Sequence, residues 1–254
     1  MKRIAVTAVA MAVSVAVQAA DTSPSEWKRS EVYVTGVADI DVQGKVEHVD
    51  LLPVQDRGSK VLADRLAPLI KSTIAHWEFV PATENGKPAP AHTFVHGVVE
   101  FRPKGQDYEA RYVYIGNGPE IEKTTVLRYP RDMIADRTQA TLNMLALVQP
   151  DGHLTDIHLE SAQSTGGKRV GQFLVAAKEA MSSWHAQPEM VDGRPVETWV
   201  RVPISFDLRN SVNQLRYDPG LERSIDSPAA PPKYSVGDQA MALDSRIKLK
   251  PQSP

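Results

Sequence analysis

The sequence predicts an α+β fold made of two tandem small domains, each a three-stranded antiparallel sheet with one packed helix in the order ββαβ. Three observations support this prediction. The chain repeats its turn and tryptophan positions at a period of about 107 residues. Each repeat places β-prone stretches around one apolar helical stripe. The 254 residues include no cysteine, so stability must come from buried apolar cores and not from disulfides.

The repeat is marked by glycines and tryptophans that recur in the same order. These marks are Gly44, Trp77 and Gly86 in the first copy and Gly152, Trp184 and Gly193 in the second. The first glycine and the tryptophan lie 33 residues apart in one copy and 32 in the other, and the tryptophan and second glycine lie 9 apart in both. This agreement predicts the same sequence of turns and elements in both halves.

The sequence pattern of the second copy predicts the order strand, turn, strand, helix, strand. Residues 141–148 and 153–160 are β-prone stretches on either side of a turn at Asp151-Gly152, which predicts a hairpin. An apolar stripe at helical spacing follows: Val170, Phe173, Leu174, Ala177, Met181 and Trp184. The closing strand, residues 196–208, contains Pro203, which has no N–H for a ladder and therefore predicts a sheet edge.

The first copy has a matching helical stripe, which is interrupted by a proline. Its members are Leu62, Leu66, Leu69, Ile70, Ile74 and Trp77. Pro68 lies inside this pattern, so we expect it to kink the helix or to mark a new start.

The segments outside the two copies suggest an exported protein. Lys2 and Arg3 precede an apolar run of about 14 residues, too short for a typical membrane helix, which predicts a signal peptide at residues 1–19 cleaved after Ala19. The alternative is an uncleaved inner-membrane anchor. We expect domains at residues 31–102 and 127–208 and a linker at 103–126, with an extra strand from Ala110 to Ile115 as the alternative within the linker. Residues 209–254, with six prolines and no long apolar period, are expected to form a disordered tail that folding does not need.

The charge of the chain argues against nucleic acid and anionic membranes as partners. After removal of residues 1–19, which contain Lys2 and Arg3 and no acidic residue, 27 basic and 31 acidic residues give a formal charge of −4.

The order of these marks resembles the C-terminal domain of TonB. The second copy carries the full pattern: Tyr129-Pro130, Gly152, Trp184, Pro188, Gly193-Arg194-Pro195 and a closing strand ending at Phe206. The first copy keeps Gly44, Trp77, Pro81 and Asn85-Gly86-Lys87-Pro88, and it lacks the Tyr-Pro pair. The resemblance covers residues 31–102 and 127–208.

The resemblance implies a periplasmic, non-enzymatic module of the Gram-negative envelope. It implies contact with outer-membrane TonB-dependent receptors or other envelope proteins, by addition of a partner strand to a sheet edge. The alternative is a membrane-anchored energy transducer for receptor-dependent transport, which requires that the N-terminal segment stays uncleaved. A hydrolase assembled across both copies is a third possibility, although no nucleophile motif or paired carboxylates appear, so no catalytic residues are assigned.

The predicted partner-binding residues lie on the closing strand and on two turns. On the strand they are Thr198, Val200, Arg201 and Val202, with Arg201 favouring an acidic partner; on the turns they are Lys87 and Arg194. The alternative is an edge covered by the linker, the tail or the other copy.

The remaining tryptophans, histidines and glycine-rich stretch singled out in the sequence have simpler structural interpretations. Trp77 and Trp184 are expected in the cores and not on a ligand platform. His92 and His96 are expected to be exposed on one side of a strand, with no third partner for a metal, and no cofactor is assigned. The glycine-rich stretch 166–169 is expected to be a flexible helix entry, with an anion site as the alternative.

Overall fold

The structure is a computed structural model that describes residues 26–54, 57–122, 125, 127–165, 170–208 and 240–251. The expected signal peptide, the glycine-rich stretch 166–169 and residues 209–239 of the expected tail lie outside the described residues.

The first unit is a sheet with a long helix on one face. Its elements are β1 (Lys28–Ile40), β2 (Val46–Leu51), α1 (Arg57–Ala75), β3 (Phe79–Val80), β4 (Ala82–Glu84), β5 (Lys87–Ala89) and β6 (Ala91–Lys104). Strand β1 lies between β2 and β6, and both neighbours are antiparallel to it. Helix α1 buries Ile70 and Ile74 against this sheet, together with Trp77 just after the helix. Pro68 lies inside α1 on its exposed side, so the helix continues through it and no new start occurs there.

Most of the expected linker is strand, which corrects the prediction for residues 103–126. The elements are β7 (Asp107–Gly118) and β8 (Glu120–Glu122). Strand β7 pairs with β6 from Phe94↔Gly118 to Lys104↔Asp107, around a turn in which Gly105 has φ +66°. The stretch from Ala110 to Ile115 therefore lies inside a hairpin, and its Tyr112 is buried in the first core.

The second unit repeats the strand order of the first. Its elements are α2 (Arg131–Ala135), β9 (Ala140–Val148), β10 (Leu154–Ser164), α3 (Val170–Met181), β11 (His185–Gln187), β12 (Met190–Val191), β13 (Arg194–Pro195) and β14 (Thr198–Phe206). Strand β9 lies between β10 and β14, as β1 lies between β2 and β6. Helix α3 buries Phe173, Ala177 and Met181 against this sheet, with Trp184 beside them.

The equivalent turns of the two units have the same hydrogen bonds. Gly44 has φ +87°, and its carbonyl accepts from Phe79 N at 2.7 Å. Gly152 also has φ +87°, and its carbonyl accepts from Ala186 N at 2.8 Å. A left-handed conformation of this kind favours glycine. Each hairpin turn is thereby fixed to the chain that follows the helix.

The two units are joined through strands that cross between them. Strand β12 pairs with β6 at Met190↔His92 and Val191↔Ala91. Val191, which belongs to the second half of the sequence, lies in the hydrophobic core of the first unit. The expectation of two tandem domains with a linker between them does not include this crossing pairing.

The C-terminal segment of residues 240–251, which we call the strap, is folded onto both units. It contains β15 (Met241–Ala242), which pairs with β14, and β16 (Lys248–Leu249), which pairs with β3. Ile247 is 1% exposed and belongs to the first core. The expectation of a disordered tail is wrong for these residues, because one buried isoleucine and two short pairings fix a segment that has no long apolar period.

None of the helices in the described ranges combines the length and the apolar character that crossing a membrane requires.

Candidate functional site

The candidate site is the outer edge of β14, the closing strand of the second unit. Along β14, alternate side chains enter the core, and Val200, Val202 and Ile204 are at most 2% exposed. The strand pairs with β9 along its whole length, from Thr198↔Val148 to Phe206↔Ala140. The other edge of β14 faces away from β9.

The backbone alternation decides which residues form this outer edge. Trp199 N donates to Asp244 Oδ1 at 2.7 Å and Trp199 O accepts from Leu243 N at 2.8 Å, so both groups point outward. Because backbone groups alternate along a strand, the amides of Arg201 and Pro203 also point outward. Pro203 lacks an N–H and is therefore tolerated on this side.

Two of the predicted edge residues face the other way. The same alternation turns the amides of Val200 and Val202 toward β9, and their side chains lie in the second core. A partner strand would therefore contact the backbone of Trp199 and Arg201 and not that of the two valines. Trp199 was not predicted as an edge residue, because the pairing of β14 with β9 decides which backbone amides point outward, and the sequence alone does not show that pairing.

The edge is covered in part by the strap, which corrects the expectation of a free edge at Val200 and Arg201. Strand β15 pairs through Val200↔Ala242 and Arg201↔Met241. This arrangement matches the alternative in which the tail covers the edge. Beyond Arg201, the outer edge at Pro203 and Ser205 has no strand partner within the described ranges.

The Arg201 side chain is engaged within the sheet. Its Nε and Nη2 donate to the two carboxylate oxygens of Glu160 on β10, at 2.6 and 2.5 Å. The bond from Arg201 holds the pKa of the Glu160 carboxyl below its usual value. The guanidinium therefore already has a carboxylate in a fork geometry, and the preference of Arg201 for an acidic partner stays a prediction.

Trp199 lies beside this ion pair on the solvent-facing side of β14. Its indole ring is half-buried and meets the His158 ring edge-on, with centroids 5.8 Å apart. An aromatic side chain at a strand edge offers a large contact area to an added strand.

Thr198, the first residue of β14, is buried and belongs to a polar network instead of a contact surface. It is 1% exposed, and its hydroxyl donates to Glu189 Oε2 at 3.4 Å. The Oε1 atom of Glu189 accepts from Thr93 Oγ1 at 2.6 Å, Asn117 Nδ2 at 3.1 Å and Ser245 Oγ at 2.9 Å. Burial is the largest influence on the Glu189 carboxyl and raises its pKa, and the hydrogen bonds oppose this shift.

The Glu189 network connects three parts of the molecule. Thr93 and Asn117 belong to the first unit, Glu189 and Thr198 to the second, and Ser245 to the strap. Asn117 Nδ2 also donates to Ile247 O at 2.9 Å. A fully buried carboxylate with these donors ties the strap to the junction of the two units.

The two predicted turn residues lie on separate short hairpins. Lys87 is exposed on β5 opposite Glu84, and Arg194 is exposed on β13 opposite Val191. The preceding residues Asn85 and Asp192 have φ +52° and +54°. Both side chains are accessible to a partner.

The histidines differ from the expectation that both are exposed. His96 is 4% exposed, and its Nδ1 lies 3.3 Å from Thr35 Oγ1 and 3.7 Å from Glu120 Oε2. His92 shares this face of β6 and contacts Asp39 Oδ1 through Nδ1 at 2.7 Å. Desolvation lowers the pKa of His96 to about 4. In the described part of the chain, no three histidine or carboxylate side chains come together as a metal site requires.

Comparison with known proteins agrees with the resemblance in the second unit. No curated protein matches the chain. Residues 125–208 match the family model described as Gram-negative bacterial TonB protein C-terminal, a segment that includes α2, β9, β10, α3 and the whole of β14.

Proposed function

We propose that this protein is a non-enzymatic periplasmic binding module of the Gram-negative envelope. In this proposal it contacts outer-membrane TonB-dependent receptors or other envelope proteins by adding a partner strand to β14. The observation that carries the proposal is the outer edge of β14, in the segment that is similar to the TonB C-terminal domain, which already accepts the strand β15. An edge that pairs with one short strand has the backbone geometry to pair with another.

We also propose that the first unit is a second, diverged copy of the same domain. Its support is the shared strand order, with β1 and β9 each in the centre, and the matched turns at Gly44 and Gly152. In the first unit, β6 corresponds to β14, but its second side is occupied by β7 over eleven paired residues. Among the described residues, β6 therefore leaves no open edge equivalent to that of β14, and we assign partner binding to the second copy.

The proposal is tested by recovery of partners from envelope extracts with three versions of the full protein. Arg201→Pro removes the outward N–H at this position. Pro203, two residues further on, already occupies an equivalent outward position, so we expect β14 to tolerate the change. Arg201→Ala is the control, because it removes the ion pair with Glu160 and keeps the N–H. We expect the wild type and Arg201→Ala to recover the same receptor or envelope protein, and Arg201→Pro to lose it with an unchanged circular dichroism spectrum. Equal recovery by all three proteins contradicts strand addition at this edge.

The N-terminus of the mature protein separates this function from the energy-transducer alternative. A mass that begins at Ala20 in the periplasmic fraction supports the exported module. An intact Met1 in the inner-membrane fraction supports the transducer, in which the N-terminal segment anchors the chain.

A further inference from the structure

The strap has two parts that are held by very different contacts. Residues 245–251, which we call the anchor, include Ile247 in the first core and Ser245 in the Glu189 network. The anchor also pairs through β16, and Lys250 N donates to Glu78 O at 2.8 Å. Residues 240–244, which we call the arm, pair with β14 at two positions, and Met241 and Leu243 are 40% and 45% exposed.

The arm contacts β14 mainly through the backbone. Leu243 N donates to Trp199 O at 2.8 Å, and the Asp244 carboxylate accepts from Trp199 N at 2.7 Å. Met241 and Leu243 bury a smaller fraction of their surface than Ile247 of the anchor, so each uncovers less of it on leaving its place. Water replaces backbone hydrogen bonds at modest cost, and an incoming strand replaces them directly. The arm is therefore separable from the anchor.

The central residue of the arm is an alanine that closely approaches a glycine of β7. Ala242 lies opposite Val200 and next to Gly118 of β7. A Cβ atom built on Gly118 would lie 2.7 Å from the Ala242 Cβ, so the two backbones approach as closely as a glycine and an alanine permit. A longer side chain at the Ala242 position would collide with β7.

We propose that the arm is a built-in substitute ligand of the β14 edge, and that partner segments bind by displacing it. The partner is an extended peptide with a small residue opposite Val200 and an acidic residue two positions later, as in Ala242 and Asp244. The small residue is required by the contact with Gly118, and the acid caps the outward N–H of Trp199. This inference rests on the proposed function and specifies the chemistry of the partner.

The test uses the full protein and a fluorescein-labelled synthetic peptide with the sequence of residues 238–245. Leu243→Pro removes the N–H that the arm donates to Trp199, while Leu243→Ala keeps it. We expect the peptide to bind Leu243→Pro at least tenfold more tightly than it binds the wild type or Leu243→Ala, in fluorescence anisotropy. A peptide that carries Ala242→Leu is expected to bind Leu243→Pro at least tenfold more weakly.

Equal affinity for Leu243→Pro and the wild type, or no binding to either, overturns the proposal. Equal binding of the Ala242→Leu peptide overturns the requirement for a small residue. Where Leu243→Pro does not fold, Asp244→Ala replaces it, and failure of both variants to fold contradicts a separable arm.

The assay contains no envelope protein, so its result is independent of the test of function. Peptide binding with no envelope protein recovered in the extract experiment refutes the proposed function alone. Recovery of such a protein without peptide binding refutes the substitute ligand alone.

Discussion

At the residue scale, the two hairpin glycines combine a left-handed backbone with a close approach. A Cβ atom at Gly44 would lie 2.0 Å from Phe79 O, and one at Gly152 would lie 2.3 Å from Ala186 O. We predict that Gly44→Ala lowers the free energy of unfolding by about 2–4 kcal/mol in urea denaturation, from strain and overpacking together. Gly86→Ala is the control, because Gly86 has φ +75° and no atom within 4 Å of the added Cβ. Its cost is about 1 kcal/mol, and equal losses contradict the close approach.

His96 makes stability depend on pH. Burial lowers its pKa from 6.5 to about 4, so the folded state binds this proton less readily than the unfolded state. The stabilising contribution is present above pH 6.5 and is lost as the pH falls toward 4, by about 3 kcal/mol in total. We predict that His96→Asn loses less stability than the wild type between pH 7 and pH 4.5, measured by urea denaturation. Equal losses of stability in His96→Asn and the wild type over this pH range contradict the prediction.

Glu189 makes the stability of the protein depend on pH in the opposite direction to His96. Burial raises its pKa above 4.5, so its stabilising contribution is present below pH 4.5 and is lost as the pH rises through the folded value. Glu189→Gln keeps an oxygen that accepts from Thr93 and Ser245 and carries no charge. We predict that the stability of this variant relative to the wild type increases as the pH rises above 4.5, in the same denaturation assay. A difference that does not change with pH contradicts it.

At the scale of the elements, local patterns predicted the two long helices and the main strands of both sheets, and missed α2 and the short strands. The stripe from Val170 to Met181 predicted α3, and the turn at Asp151-Gly152 predicted the hairpin of β9 and β10. These features depend on residues that are close in sequence. The pairing of β12 with β6 and the burial of His96 were not predicted, and the covering of the β14 edge by the tail was one of three alternatives, because each depends on contacts between distant segments. Pro203 correctly indicated an edge, but the sequence contains no signal for the segment that covers it.

The anchor of the strap is expected to be necessary for stability. Ile247 is buried in the first core and supports the Glu189 network. We predict that Ile247→Ala lowers the free energy of unfolding by about 2–5 kcal/mol in urea denaturation, from lost burial and the cavity that remains. Lys248→Ala, at an exposed neighbouring position, is the control and should change stability little. If both variants resemble the wild type, the strap is not part of the fold.

At the scale of the whole molecule, the two units are expected to unfold together. Strand β12 places Val191 in the first core, and the strap contacts β14 of the second unit and β3 of the first. Loss of either unit therefore removes contacts from the other. We predict one thermal transition, with equal calorimetric and van't Hoff enthalpies. Two resolved transitions would show that the junction does not couple the units.

Photocrosslinking in Gram-negative cells that express the full protein tests whether a partner binds at the edge of β14 itself. A photoreactive amino acid at Ser205 lies on β14 beyond the two residues that β15 covers. The control position is Val175, which is 57% exposed on α3, away from the edge. We predict an adduct with an outer-membrane receptor or another envelope protein from Ser205 and none from Val175. Adducts from Val175 alone, or the same adducts from both positions, would contradict binding at the edge of β14.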